Sequence, residues 1–328
     1  MLPRAVLINL PRDTDRLRNV EKQLSNARVS FERAQAVDGA ALTHDELCAH
    51  CTPLARHLLT RGTVGCALSH INCWRMCADS EAPLLVFEDD VELVDGFREK
   101  VEAAMAALDG SAWDVLLLGA LGAVRPSDDT SGGAARLQDL VMPLLLATAG
   151  GLRYDSWRAA LPGGGLLHVP RRAYCTHAYI VSPQGARKLL ATCSKVSFHI
   201  DVVAWGRPGV RLLIVHPLLA SQAHGDSTLG GTLLPMLPDS WARALLPDLT
   251  LDEYTGAKLL WALRGPIFQL RPPHGPILTI AGSLLILLWG LAAAAILRSL
   301  PVLLAVAGYV VVLSTLIRVS ARGQAPRL

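Results

Sequence analysis

Three consecutive carboxylates, Glu88, Asp89 and Asp90, follow the apolar run Leu84-Leu85-Val86-Phe87. Acids held side by side repel one another and are costly to keep ionised unless a cation neutralises them. A short continuous apolar run reads as a strand buried on both faces, and ligands of open α/β sheets gather outside the carboxyl ends of the strands. The stretch is therefore either a hard-metal site placed against a phosphorylated ligand or a solvated acidic turn behind a core strand. Later candidates are Asp201 within apolar Ser197–Val202, His216 after the run Val210–Val215, and Gln222, His224 and Asp226 in a Gly/Ser/Thr-rich stretch. Acids at strand ends joined by a later His or Asp suit an oxygen-ligated Mg²⁺ or Mn²⁺ clamping a diphosphate.

The rest of the sequence narrows the chemistry. It has neither a Walker-A loop nor a G-x-G-x-x-G, and no G-x-S-x-G, so P-loop, dinucleotide-binding and α/β-hydrolase readings lose support. Metal-assisted transfer from a nucleotide-linked donor, or phosphoester hydrolysis, remains. A net charge of +3 with scattered Lys and Arg and 5% aromatic residues offers neither a phosphate-tracking stripe nor a stacking platform, so no nucleic-acid partner is expected. Seven cysteines occur at irregular spacing, with one C-x-x-C at Cys48 and Cys51 and no N-x-S/T sequon. They are expected to be free thiols in a reducing compartment.

The elements that position these residues begin with a β-α-β unit. Ala5–Leu10 is a buried strand, too short for a signal-peptide core, so the chain is expected to open directly on it. Asp13 or Thr14 can cap a helix whose apolar face is Leu17, Val20, Leu24 and Ala27, and Phe31–Val37 reads as the second strand. This beginning argues for a parallel sheet with helices on its faces. Thr63 is the expected N-cap of a helix carrying Ser69 and His70, and Gly65 suggests close approach of a ligand or a neighbouring backbone. An Ala-rich helix over Phe97–Leu108, a strand over Trp113–Gly119, a strand over Ala178–Ser182 and a helix opening at Pro183 continue the pattern. Residues 120–172, punctuated by Gly pairs and a Gly triplet, are a variable insertion, either a substrate lid or an irregular loop.

Ile277–Leu297 is 21 residues without a charge, and Leu300–Ile317 is a second run of 18. The first is about 30 Å long as a helix, the thickness of a bilayer hydrocarbon core. With only Arg298-Ser299 between them, the runs are expected to form a hydrophobic hairpin that crosses the bilayer or dips into one leaflet. Arg264 and Arg271 before it and Arg318, Arg322 and Arg327 after it place both flanks on the cytosolic side. The expected division is a catalytic domain over residues 1–265 and a membrane-anchoring region over 266–328, with helices at about 277–297 and 300–317.

Six segments in order carry a resemblance. They are Ile8-Asn9-Leu10 with Arg12, Asp15 and Arg16; Ala36–Gly39; Gly65–His70; Phe87–Asp90; Trp113-Asp114 through Leu118-Gly119; and Ala178–Ser182. Over about residues 4–225 the chain resembles glycosyltransferase family 25, which includes bacterial lipooligosaccharide galactosyltransferases and the procollagen galactosyltransferases; the hairpin lies outside the resemblance. The resemblance implies an α/β, GT-A-like nucleotide-sugar-binding fold, a UDP-sugar donor and inversion at the anomeric carbon. It puts Glu88-Asp89-Asp90 where GT-A enzymes carry a D-x-D metal motif, although the first acid here is Glu. Asp90, then Glu88 and Asp89, are the expected ligands of Mn²⁺ or Mg²⁺, and His216 a further metal or phosphate contact. Leu10, Arg12, Arg16, Ser69, His70, Glu88 and Asp89 are expected to meet the donor, with an Asp15–Arg16 ion pair as the structural alternative for those two. An inverting transfer needs a general base for the acceptor hydroxyl; Asp201 is the first choice, with Asp226 and His199 behind it. The implied function is transfer of a sugar, galactose favoured, to a glycan or lipid-linked acceptor in surface polysaccharide synthesis on the cytosolic face of a membrane. The alternatives are a non-catalytic scaffold of the same fold and a metal-dependent phosphodiesterase.

Overall fold

The computed structural model describes residues 2–126, 153, 155–207, 209–223, 250–252, 257–258 and 263–322. The chain opens with β1 (Arg4–Asn9), α1 (Thr14–Asn26) and β2 (Phe31–Gln35). Short helices α2 (His44–His50) and α3 (Pro53–Leu58) lead into the long α4 (Arg61–Ala78). Next come β3 (Leu84–Glu88), β4 (Val91–Leu93), α5 (Phe97–Ala107) and β5 (Val115–Leu117). Four short strands follow: β6 (Leu121–Ala123), β7 (Arg158–Ala160), β8 (Leu166–His168) and β9 (Arg172–Tyr174). β10 (Ala178–Val181), α6 (Pro183–Thr192), α7 (Ile200–Trp205), β11 (Leu212–His216) and β12 (Ala220–Gln222) complete the main body. Beyond it lie the pairs β13 (Thr250–Asp252) with β14 (Ala257–Lys258) and β15 (Pro266–Gln269) with β16 (Ile277–Thr279). The last elements are helices α8 (Ile280–Ile296) and α9 (Leu300–Arg322).

Eight strands form the central sheet in the order β2-β1-β3-β10-β5-β11-β8-β7. Side chains alternate between its faces. Val6, Ile8, Val86, Leu117, Tyr179 and Ile214 face α4, α6 and α7, whereas Leu7, Leu85, Phe87, Leu116, Ile180 and Leu213 face α1 and α5. Both faces are covered, which is why the central strands read as unbroken apolar runs. On α1 the expected stripe is confirmed: Val20 and Leu24 are fully buried, each contributing about 1.5–3 kcal/mol of apolar transfer.

The sheet is mixed, not parallel. β1, β2, β3, β5 and β11 run in one direction, and β10 is inserted antiparallel between β3 and β5. β8 is antiparallel to β11. A strand buried on both faces has the same hydropathy in either direction, so the sequence pattern does not reveal the reversal. The described parts of the 120–172 insertion include strands and a 3-10 turn over Pro162–Gly164: β7 and β8 extend the main sheet, and β6 pairs with β9. Runs of three residues between glycines are too short for a period-two signal. Residues 127–152 and 154 lie outside the described residues.

Helix α4 begins earlier than the sequence suggests. Thr60, not Thr63, is its N-cap, with the Thr60 hydroxyl accepting from Thr63 N at 3.1 Å. Gly65 is a close-approach position against a neighbouring backbone: a Cβ there would lie 2.5 Å from Val37 O and 2.7 Å from Gly39 N. The first hydrophobic run is also shorter as a helix than expected. Ile277–Thr279 pairs with β15, and Thr279 then caps α8 by accepting from Gly282 N at 3.0 Å. Helix α8 is therefore 17 residues long. Among the described residues α9 alone is long and apolar enough to cross a membrane. All seven cysteines are free, as expected.

Gly65→Ala is expected to lower the unfolding free energy by about 1–3 kcal/mol through overpacking against fixed backbone. Gly209, with no atom within 4 Å of its would-be Cβ, is the control: Gly209→Ala should change stability by no more than about 0.5 kcal/mol. Urea midpoints of the two variants make the comparison.

Candidate active site

The shared direction of β1, β3, β5 and β11 brings Asn9, Glu88, Leu117 and His216 to one edge of the sheet. At this edge β3 ends on Glu88, and Asp89-Asp90 turns into β4. Pairing of β4 with β12 sets Gln222 opposite Val91. The acidic turn is thus held from three sides.

Each carboxylate has its own partners. Asp89 accepts from Asn9 Nδ2 at 2.6 Å and from Arg16 Nη1 at 3.0 Å. Asp90 accepts from Gln222 Nε2 at 2.9 Å and lies 3.5 Å from Arg16. Among the described residues its Oδ1 is buried with no hydrogen-bond partner. Glu88 Oε1 accepts from Thr176 Oγ1 at 2.6 Å and meets His70 Nε2 at 3.2 Å. Behind it, His70 Nδ1 is 3.0 Å from Tyr179 OH, and Trp74 Nε1 donates to the same hydroxyl at 3.0 Å. Trp74 and His70 thus meet at the Tyr179 hydroxyl, and the other ring nitrogen of His70 faces Glu88.

The electrostatics separate the three acids. Burial disfavours an ionised Glu88, but the hydrogen bond and charge of His70, with Thr176 and His177, hold its carboxyl below the usual range. Burial also raises Asp89, against the opposing pull of Asn9 and Arg16. Asp90 is pushed up to about 7, by burial first and then by the charge of Glu88, against weaker opposition from Gln222 and Arg16. The side chains of Glu88, Asp89 and Asp90 are only 20%, 11% and 17% exposed, so water does little to screen their repulsion.

Asp201 belongs to the same neighbourhood. It sits in the first turn of α7, with Oδ2 accepting from Cys175 N and Oδ1 from Val202 N, both at 2.8 Å. Cys175 is left-handed, with φ of 69°, and its carbonyl accepts from Trp205 Nε1 at 2.8 Å. Burial raises the thiols of Cys66 and Cys175, and the nearby charges of Glu88, Asp90 and Asp201 raise both further. Both thiols thus lie within electrostatic reach of the same three carboxylates. Beside Asp201, burial lowers His199 against the pull of the carboxylate.

Other sequence candidates go elsewhere. Ser69 is spent on backbone: its hydroxyl accepts from Val37 N at 2.9 Å and donates to Gly65 O at 2.8 Å, tying the end of β2 to α4. Arg12 pairs with Asp38 at the surface, each sharpening the other's charge through their hydrogen bond. Leu10 stands at the β1–α1 turn, its carbonyl accepting from Asp13 N at 3.0 Å. Asp15 pairs with Arg18 rather than Arg16, which reaches inward to Asp89 and Asp90. His216 is three strand spacings from β3 in the sheet order, about 14 Å, and its ring lies edge-on to His168. The structure does not bring it to the carboxylates. Asp226 and His224 lie outside the described residues.

Thr176, Cys66, Cys175 and the anchoring role of Asn9 were missed from sequence. Asn9 had a signal: it is a polar residue, 1% exposed, at the end of an apolar strand, as Glu88 is. Thr176 had none, because only the antiparallel insertion of β10 sets it beside Glu88.

Two outcomes check this geometry. Tyr179→Phe should cost about 1–3 kcal/mol in a urea melt by leaving Trp74 Nε1 and His70 Nδ1 unpaired in the core. In cation-free buffer, folded Asp90 keeps a proton that the unfolded chain, with an ordinary carboxyl near 3.9, has already released. Its contribution therefore weakens the fold as pH rises from about 4 to about 7. The stability of Asp90→Asn relative to the unsubstituted chain should grow across that window and level off above it, read from melts at pH 5 and pH 8 in EDTA.

Comparison with known proteins gives this geometry a family. Residues 3–204 match glycosyltransferase family 25 (LPS biosynthesis protein). Inactive glycosyltransferase 25 family member 3 of Mus musculus is 32% identical over 197 residues, 57% of this chain and 28% of the relative. Probable inactive glycosyltransferase 25 family member 3 of Rattus norvegicus is 32% identical over 303 residues, 82% and 46% of the two. Procollagen galactosyltransferase 2 of Mus musculus is 32% identical over 124 residues, 34% and 20%. The chain spans less than half the length of these curated relatives. With its family domain covering most of the chain, including the β3 acids, Arg16, His70 and Asp201, this protein belongs to glycosyltransferase family 25.

Proposed function

We propose that the chain is an active, inverting glycosyltransferase that moves a hexose, galactose favoured, from a UDP-sugar to a glycan or lipid-linked acceptor. The observation that carries this reading is the charge imbalance at the sheet edge. Among the described residues Asp89 and Asp90 share the guanidinium of Arg16, Glu88 meets the His70 imidazole and the Thr176 hydroxyl, and Asp90 keeps a buried oxygen without a hydrogen-bond partner. Among the described residues no three His, Cys, Asp or Glu side chains form a ready-made cation cage. Mg²⁺-type sites need none, since they use one or two carboxylates and take their other oxygens from substrate phosphates and water. Asp90 and Glu88 are the residues that would hold Mn²⁺ or Mg²⁺, and Asp89 is committed to Asn9 and Arg16. The bound cation would offset charge on the departing diphosphate. A GT-A-like description of the fold agrees with acids at the end of a central strand in a mixed sheet.

The chain's own residues supply the rest. His70 and Thr176 fix the Glu88 carboxylate, so it need not reorganise during transfer. Arg16 stands in the first turn of α1, where the donor phosphates would approach. Asp201, oriented by two backbone N–H groups, takes the proton of the acceptor hydroxyl. That oxygen bonds to the anomeric carbon as the bond to the diphosphate oxygen breaks on the opposite face, and the electron pair leaves with UDP.

A second reading, a transferase-fold scaffold without activity, is favoured by the names of the two rodent relatives. The readings part on a panel of labelled UDP-hexoses assayed with and without Mn²⁺. Metal-dependent donor hydrolysis or transfer is expected, with Asp90→Asn and Asp201→Asn each reducing transfer at least about 100-fold. Absence of turnover with every donor, or cellular function unchanged in Asp90→Ala, would favour the scaffold.

A further inference from the structure

Away from the three acids, two arginines meet at the C-terminal end of α7. Arg172 lies on β9 with its side chain inside the protein, 1% exposed. Its Nη2 donates to Val202 O at 3.0 Å. Gly206, directly after α7, leaves it room: a Cβ there would lie 2.6 Å from Arg172 Nη1. The Tyr174 ring covers one face of the guanidinium, its centroid 5.3 Å from Cζ. Arg153 is fastened beside β9, where its backbone N–H donates to Arg171 O at 2.8 Å. Its Nη2 donates to Arg207 O at 3.2 Å. The two guanidiniums thus rest against neighbouring residues, Gly206 and Arg207.

Their charge is under-compensated. Among the described residues Arg172 Nε, Arg172 Nη1 and Arg153 Nη1 are buried with no hydrogen-bond partner. Among the same residues no carboxylate forms an ion pair with either arginine. Burial, and then repulsion by Arg172, push Arg153 down to about 10. The end of α7 offers at most about half a negative charge, shared by both. The Tyr174 ring attracts the face of a guanidinium and leaves the N–H groups in its plane unmet. A buried charge without a counter-charge is strongly destabilising, so these donors call for an anion.

The donors also define which anion. Arginine forks match carboxylates and phosphoryl groups. A carboxylate brings two oxygens and a single charge. A phosphoryl group brings three oxygens and a charge of about −2, which suits three unmet nitrogens on two guanidiniums. Arg172 is enclosed and Arg153 is half-buried, so the anion enters past Arg153.

We propose that Arg153 and Arg172 form a binding site for a phosphoryl group, either inorganic phosphate or the phosphate of a small phosphomonoester, separate from the place where Glu88, Asp90 and Arg16 would meet a donor diphosphate. It lies at the opposite end of α7 from Asp201, about 9 Å along the helix. An anion there ties β9 to the end of α7.

The test is binding of labelled inorganic phosphate to the full chain in detergent, by equilibrium dialysis and thermal shift, in EDTA and at constant ionic strength. Expected results are one saturable phosphate per chain, a rise in melting temperature, and acetate at least about ten-fold weaker. Arg153→Gln should weaken phosphate at least about ten-fold, the size of one lost charge-assisted hydrogen bond, and Arg16→Gln should leave it unchanged. Hexose 6-phosphate separates the sources: displacement of the label at similar concentration assigns a carried phosphoryl group, and no displacement assigns the free ion. Phenylglyoxal labelling of the unsubstituted chain needs no variant: phosphate should protect Arg153 and not Arg16. Equal responses to phosphate and chloride, or protection and affinity that follow Arg16 instead of Arg153, would overturn the assignment. The site does not depend on the transferase reading, since none of these assays needs a sugar nucleotide.

Discussion

Like-charge repulsion among Glu88, Asp89 and Asp90 is the constraint on which the rest of the site depends. Three acids packed at the end of a buried strand would destabilise an α/β sheet were they left to themselves. The fold gives each a different environment. Asp89 becomes a structural acceptor that fastens the β1–α1 turn through Asn9 and Arg16. Glu88 is kept ionised by His70 and Thr176. Asp90 is left undercompensated and rises toward neutrality. The residual negative charge falls on the two acids not tied to the turn, where a cation would meet a diphosphate.

The surrounding architecture serves that division. Inserting β10 antiparallel next to β3 brings Thr176 and His177 to Glu88 and places Tyr179 under His70. The close approach of Gly65 to Gly39 lets α4 lie low enough for His70 to reach the strand end. Pairing of β4 with β12 delivers Gln222 to Asp90. Helix α7 brings Asp201 to the same space, and Arg207 just beyond it joins the domain to α9. Helix α7 thus links the neighbourhood of the carboxylates to α9.

Much of this was legible in the sequence, for identifiable reasons. Apolar runs marked β1, β3, β10 and β11 because both sheet faces are covered, and the acids after Phe87 declared themselves by their cost. Strand direction was not legible, since hydropathy carries no polarity, and so the neighbours supplied by β10 were missed. Ser69 and His70 are adjacent on one helix and looked equivalent. Helical rotation turns one toward backbone and the other toward Glu88, and only packing decides which. His216 has the chemistry of a ligand but stands several strands away, a distance fixed by sheet order rather than by sequence. In the hairpin, composition gave spans of 21 and 18 residues, whereas strand pairing at Ile277–Thr279 shortens the first helix to 17 and the second runs on to Arg322.

The central claim, that Glu88 and Asp90 together hold a divalent cation completed by the donor diphosphate, is tested most directly by electron paramagnetic resonance of Mn²⁺ titrated into the full chain with and without UDP. The expected result is weak binding by the protein alone and one tightly bound Mn²⁺ per chain when UDP is present, with that signal lost in Asp90→Asn and retained in His216→Ala. A spectrum of free aqueous Mn²⁺ at every UDP concentration, or a bound signal unchanged in Asp90→Asn, would contradict it.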